Sequence, residues 1–451
     1  MNKKSGSRWS FLTIMSFVFY GWWDWRFLFL ILISGLIDFA AGHYILKRPD
    51  RKKTFLIVSL AGNILSLAFF KYSGFFAEML EHLAHLSGSS IQIKSHLPAF
   101  ALIVPVGISF YTFQSMSYTI DVFKGKLKPV KNIWHFFAYL SMFPQLVAGP
   151  IVRAKDLLKQ LAEKRIVSSM QKWHALKLIA FGLFQKTVLA DNIGVLVNKA
   201  YSEGNLETGT AFWWMVLVAF AFQIYCDFSG YSLIAKGLAK YMGYHFKMNF
   251  NHPYLSKSFK EFWTRWHISL SSWFRDYVYI PLGGNKKGKL LGIFFMYLTM
   301  VLSGFWHGPA FHFIAWGFLH AFYLMLERFT KWGKWSPQML FLKAFKMLTV
   351  FVLVLFAWNF FRANSMHQSF QVFKNLVSFE SSGDFALLYF NALFFLGLAV
   401  VIEIVYAFYS RKLLLKTLYQ RYHLDMVFVA CCIVGHLFFR GPESEFIYFQ
   451  F

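Results

Sequence analysis

Runs of about 20 apolar residues recur along this chain, each long enough as a helix to cross a hydrocarbon layer roughly 30 Å thick. The stretch from Leu290 to Trp306 contains no charge, and Phe385 to Tyr409 contains only Glu403. The pattern predicts eleven crossings, near 10–23, 26–44, 54–75, 100–120, 175–199, 211–235, 289–308, 311–327, 344–362, 386–409 and 425–440. A further apolar stretch, 132–150, contains Pro144, Gly149 and Pro150 and is read as re-entrant or surface-lying, because proline interrupts a helix. The expected fold class is an all-α polytopic membrane protein, a single domain over 1–451. No internal repeat or separate soluble part is visible.

The polar connections give the crossings a direction. Lys3, Lys4 and Arg8 precede the first run, and Lys47-Arg48-Pro49-Asp50-Arg51-Lys52-Lys53 follows the second. Segments 121–131, 236–288, 328–343 and 410–424 are also basic. The intervening connections 76–99 and 363–385 contain only Lys94 and Lys374, while 200–210 and 441–451 contain glutamates and no lysine or arginine. With 132–150 left uncounted the alternation is unbroken, so the N-terminus is expected in the cytoplasm and the C-terminus outside.

Composition supports the bilayer as solvent: 57% of residues are hydrophobic and only 15% charged, against roughly 25% charged in soluble domains. The net charge of +25 falls mainly in one set of loops, which matches contact with anionic lipid and not with nucleic acid. Cys226, Cys431 and Cys432 make no disulfide or zinc pattern. The N-terminal run lacks a small-residue cleavage site and is read as uncleaved.

Two stretches break the hairpin pattern. Segment 150–174 is basic and amphipathic, with Leu157, Leu158 and Leu161, and is expected on the cytoplasmic membrane surface. Segment 236–288 is long and dense in Trp, Phe and Tyr, a composition that argues for an ordered, functional block.

The candidate chemistry lies in that block and just beyond it. His267 sits in Phe262-Trp263-Thr264-Arg265-Trp266-His267-Ile268-Ser269, followed by Trp273, Arg275 and Asp276. His307 sits in Ser303-Gly304-Phe305-Trp306-His307-Gly308-Pro309, at the end of an uncharged run. An ionisable group at such a position is a functional candidate, because burying it is costly. Gly304 and Gly308 permit close approach of another helix or a substrate. A hydroxyl attacking an activated acyl group needs a base and donors for the developing oxyanion. No G-x-S-x-G elbow is present, so two histidines suit direct transfer, with His307 as base and His267 orienting or polarising a substrate. Trp306, Trp266, Ser269, Trp273, Arg275, Asp276, Asp227 and Ser303 are the candidate substrate-binding positions.

The blander readings are an interfacial aromatic belt, a hydrogen-bonded structural histidine at 307 and an interhelical partner for a basic residue at Asp227. No metal site is expected, since His307 and His312 do not share a helical face. Buried Asp38, Asp227 and Glu403 leave open a transporter or flippase for a lipid-linked glycan. A scaffold recruiting an external enzyme is a third reading.

The motifs Val104-Pro105-Val106-Gly107-Ile108-Ser109-Phe110-Tyr111-Thr112-Phe113-Gln114, Phe143-Pro144-Gln145-Leu146-Val147-Ala148-Gly149-Pro150-Ile151 and Tyr225-Cys226-Asp227-Phe228-Ser229-Gly230-Tyr231 resemble the membrane-bound O-acyltransferase family. So do the Phe262–Gly284 block, Trp306-His307-Gly308 and the closing Phe446-Ile447-Tyr448-Phe449-Gln450-Phe451. The likeness is to the bacterial branch that O-acetylates alginate. It implies tilted helices around a central funnel in a bacterial cytoplasmic membrane, with His307 as catalytic histidine and His267 as second motif histidine. It also implies no bound cofactor, acetyl-CoA or another acyl-CoA as donor, and a hydroxyl of an exported polysaccharide or an extracytoplasmic partner acyltransferase as recipient.

Overall fold

The computed structural model describes residues 3–89, 91–146, 149–202, 209–411 and 424–447. The acidic segment 203–208, most of the basic loop 410–424, residues 147–148 and the closing 448–451 lie outside the described residues. Every regular element among the described residues is helical. Seven runs are long and apolar enough to span a membrane: Gly6–Lys47, Pro49–Leu86, Ser169–Ala200, Thr210–Tyr241, Lys289–His307, Leu340–Arg362 and Phe390–Phe408.

The difference from the eleven expected crossings has local causes. Lys3–Asp24 and Leu28–Lys47 are two helices, broken by extended backbone at Asp24 and the short turn Trp25–Phe27, that share the 42-residue apolar stretch Gly6–Lys47. The expected spans at 100–120 and 425–440 fold as Ile108–Phe123 and Leu424–Phe438, 16 and 15 residues long. Phe311–Thr330 is one unbroken helix of 20 residues whose apolar sequence is diluted by His312, His320, Glu327 and Arg328. The stretch 132–150 holds Ile133–Leu140, whose 8 residues reach only about 12 Å at the α-helical rise.

The chain divides into two compact units, Met1–Gln171 with Ala239–Lys247, and Lys172–Leu238 with Met248–Phe451. In the first, Leu28–Lys47, Lys52–Leu86 and Ile108–Phe123 pack around fully buried Asp38. Its carboxylate accepts hydrogen bonds from Ser59 and Thr119 on one oxygen and from Asn63 and Ser115 on the other. The helix Ala154–Ala162 buries Leu157, Leu158 and Leu161 against Ile133–Leu140. Its apolar face therefore belongs to the protein interior, and not to the lipid surface that its amphipathic pattern suggested.

In the second unit, the helical run 169–200 contains a π turn at Phe184–Ala190. Thr210–Tyr241 is the most buried of the long spans. Between that helix and Lys289–His307, the aromatic block is ordered as the short helices Phe259–Arg265 and Ile268–Phe274 and a π turn, Arg275–Tyr279. Phe250, Tyr254, Phe262 and Trp266 from this block are buried.

Candidate active site

All the site residues described below belong to the second unit. The helix Lys289–His307 is uncharged over its central turns and stops where Gly308 extends and Pro309 follows. A connection of three residues returns the chain as Phe311–Thr330. The two helices touch backbone to backbone. A Cβ on Gly304 would lie 2.2 Å from the Phe313 carbonyl oxygen, and one on Gly317 would lie 2.4 Å from that of Met300. Only glycine permits this approach, which places the end of one helix against the start of the other.

His307 is 5% exposed. Its ring lies 5.0 Å from Trp306, 5.1 Å from Trp316 and 5.1 Å from Phe361, centre to centre and edge to face. One turn earlier on the same helix, Ser303 lines a cavity of about 720 Å³. Buried Leu270, Phe274, Met296 and Thr299 form part of its wall. Trp263 and Ser271 come from the aromatic block. The exposed lining is cationic: Lys260, Arg275, Arg328, Lys331 and Lys334. The carboxylate in the lining, Glu327, accepts from the backbone N–H of Phe259 at 2.5 Å. The lining thus grades from exposed cationic side chains to a buried apolar wall.

His267 is fully buried and adopts a left-handed backbone conformation, φ 40°, at the N-terminus of Ile268–Phe274. Asn249 holds it from 18 residues upstream. The Asn249 side-chain oxygen accepts from the Ser269 N–H at 3.1 Å and from the Ser269 hydroxyl at 2.9 Å, while its amide donates to Ser232. That oxygen lies 3.2 Å from His267 Nδ1, and since an amide oxygen only accepts, Nδ1 must carry the proton. Burial pushes the His267 pKa down to about 3, so the neutral form persists across the physiological range. His267 is thereby held as a neutral ring with its proton on Nδ1. Phe228 packs edge-on at 4.6 Å, and Trp266 connects onward through Trp358 at 4.8 Å to Phe361 and His307.

The other candidates separate into groups. Ser303 and Arg275 join the cavity, and Trp306 packs on His307. Asp276 pairs with Arg275 at 2.7 Å, and Trp273 is buried beside Phe274 and Tyr277. Asp227 lies in a different node: Lys186 bridges it, at 3.0 Å, to Asp191 at 2.6 Å. The Ile447 N–H donates to Asp227 and the Ser444 hydroxyl to Asp191, which anchors the C-terminal segment. Asp227 is thus the partner of a basic residue. Glu403 accepts from Tyr225 at 3.1 Å and pairs with His252 at 2.9 Å. Among the described residues no three metal-ligating side chains gather at one point.

Trp316, His320 and Trp358 escaped the sequence reading, and Asn249 and Trp263 stood in its dense aromatic block without an assigned role. The spacing of His312, Trp316 and His320 puts them on one helical face and was a legible, weak signal.

Comparison with known proteins agrees with this architecture. Residues 123–370 match the model of the MBOAT, membrane-bound O-acyltransferase family. The probable alginate O-acetylase AlgI of Pseudomonas aeruginosa is 36% identical over 82% of this chain and 69% of its own length. That of Pseudomonas putida is 35% identical over 87% of this chain and 79% of its own. A peptidoglycan O-acetyltransferase of Helicobacter pylori is 31% identical over 98% of this chain and 91% of its own. A helical, multi-pass membrane protein with a buried histidine above a cation-lined cavity is, on these likenesses, an O-acyltransferase. The chain belongs to the membrane-bound O-acyltransferase family.

Proposed function

We propose that this enzyme resides in a bacterial cytoplasmic membrane, N-terminus inside, and moves an acetyl group from acetyl-CoA to a hydroxyl of an exported polysaccharide, directly or through an extracytoplasmic partner acyltransferase. The observation that supports it is the cation-lined cavity reaching Ser303, one turn from buried His307. Lysine and arginine at the exposed lining suit the phosphates of the donor, and the apolar wall suits its pantetheine arm. The names of the relatives suggest uronate or peptidoglycan sugars as acceptors.

In this reading the acceptor hydroxyl attacks the thioester carbonyl and His307 takes its proton. The tetrahedral intermediate collapses with cleavage of the C–S bond, and the thiolate recovers that proton from the imidazolium. His267, held neutral by burial, orients or polarises a substrate. No resident cofactor is required.

The test is purified protein with radiolabelled acetyl-CoA and longer acyl-CoAs, offered a mannuronate oligosaccharide or a soluble muropeptide. His307→Ala should lower transfer by about 10²–10⁴-fold, the usual contribution of a general base, while the protein still inserts and expresses. Transfer by His307→Ala within about threefold of wild type, far short of that range, removes His307 from the mechanism.

A further inference from the structure

Beside His307 the second unit contains a cluster of hydrogen-bond donors that the protein leaves unanswered. The indole Nε1 atoms of Trp263 and Trp316 are buried and have no hydrogen-bond partner among the described residues. Both ring nitrogens of His320, a residue 0% exposed, share that condition. The three rings form one compact group. Trp263 lies 5.7 Å from Trp316 and 5.0 Å from His320, and Trp316 lies 4.9 Å from His320, centre to centre. The group also has a position in the site: Trp263 lines the cavity, and Trp316 packs on His307 at 5.1 Å.

The chemistry of the missing partner follows from the groups themselves. An indole N–H can only donate, and a neutral imidazole always presents one N–H. Three obligate donors are therefore gathered among the rings of Phe262, Tyr323, Trp358 and Phe361, of which only Tyr323 has an oxygen, and that hydroxyl makes no hydrogen bond to any of the three. Buried donors at this density need an acceptor from outside the protein. The oxygen that a thioester brings to such a place is its carbonyl.

We propose that Trp263, Trp316 and His320 form the donor set that holds the acyl carbonyl oxygen of the donor thioester. The inference rests on the acyl-transfer reading above and adds three residues to it. As the acceptor oxygen bonds to the carbonyl carbon and its proton passes to His307, the π electrons move onto the carbonyl oxygen. The three N–H groups stabilise that charge. When the intermediate collapses, the carbonyl re-forms, the C–S bond breaks and the thiolate takes the proton back from His307. Fixed donors aimed at a developing oxyanion act chiefly on the chemical step, because they bind the charged state more strongly than the neutral carbonyl.

The experiment uses the full-length protein, [¹⁴C]acetyl-CoA and the same oligosaccharide acceptors. Trp263→Phe, Trp316→Phe and His320→Phe should each lower kcat by about 10- to 100-fold, at or below the range seen for loss of one oxyanion donor, and leave the KM for acetyl-CoA nearly unchanged. Replacing either tryptophan with benzothienylalanine, which substitutes sulfur for the N–H within the same ring shape, separates lost donation from lost packing and should give the same fall. With ¹³C-carbonyl acetyl-CoA bound to His307→Ala, the carbonyl infrared band should lie at lower frequency than when the benzothienyl replacement is added.

Wild-type kcat in both benzothienyl variants, or an unmoved carbonyl band, overturns the donor set while leaving the acyl-transfer reading intact. Absence of transfer from any acyl-CoA by the wild-type protein, with every recipient including water assayed, overturns the acyl-transfer reading itself.

Discussion

Asp38 and His320 are both fully buried in helical surroundings, one in each compact unit, yet their hydrogen bonding is opposite. Asp38 receives donors from Ser59, Asn63, Ser115 and Thr119, so both carboxylate oxygens are answered within the protein. His320 has no partner at either ring nitrogen among the described residues, and the indole nitrogens of Trp263 and Trp316 beside it have none. A saturated polar node spends its interactions on holding helices together. An unsaturated one of the same burial is costly to the fold and is suited to a ligand. Burial and ionisable character, the two features visible in sequence, do not distinguish these cases. The count of satisfied atoms does.

The sharpest way to break this contrast is to remove the centre of the saturated node. Asp38→Leu leaves four donors without their acceptor, at about 1–3 kcal/mol for each buried group left unpaired. The expected result is a large fall in thermal midpoint in detergent and a loss of folded protein from the membrane. Activity per folded molecule should stay close to wild type. Asp38→Asn, which keeps one acceptor oxygen, should lie between. A normal thermal midpoint together with lost turnover would place Asp38 in the chemistry and dissolve the distinction.

A smaller effect, expected in turnover and its pH profile, comes from Asn249, which is saturated itself and fixes the tautomer of its neighbour His267. Asn249→Leu removes the acceptor that keeps the His267 proton on Nδ1. Turnover should fall by about 10- to 100-fold, at or below the low end of the range for a positioned acid or base. Asn249→Asp keeps the acceptor and adds a negative charge, which favours the imidazolium and raises the His267 pKa. In the wild type that pKa is about 3, so His267 is neutral above it and no acid limb from this group should appear between pH 5 and 8. In Asn249→Asp the ring becomes charged as pH falls through the raised value, so activity should recover at high pH and be lost toward low pH. A flat profile in this variant, with wild-type rates, would detach His267 from the reaction.

The sequence was most informative where a single local pattern decided the outcome. Charge-free runs such as Leu290 to Trp306 are membrane helices because nothing in them needs water, and His307 is conspicuous because it closes such a run. Features that depend on distant partners were not legible. Nothing near Leu157, Leu158 and Leu161 says that Ile133–Leu140 covers them, so their stripe reads as a lipid face. Asp227 reads both as a relay and as the partner of a basic residue, and only the fold shows that the partner is Lys186, 41 residues away. The His267 tautomer depends on Asn249, and His320 gains meaning only once Trp263 arrives from another element. Phe311–Thr330 reads as an ordinary span, although it buries two histidines, His312 and His320.

The smallest effect is expected at the exposed lining of the cavity, where the contrast between saturated and open groups gives way to solvent. Lys331 and Lys334 are exposed and line the same cavity as buried Ser303, so water screens what they offer an anionic donor. Exposed charge pairs contribute about 0.2–1 kcal/mol each, and Lys331→Ala with Lys334→Ala should therefore raise the KM for acetyl-CoA by about two- to tenfold. The kcat should not change, because these ammonium groups act on the carrier phosphates and not on the reacting carbon. At 0.5 M salt the Debye length shrinks to a few ångströms, and the gap in KM between wild type and double variant should close. A fall in kcat at constant KM would mean that the exposed lining takes part in the chemical step. Binding at the exposed lining and chemistry at depth would then no longer be separable, and the open donors around His320 would lose their claim to a distinct role.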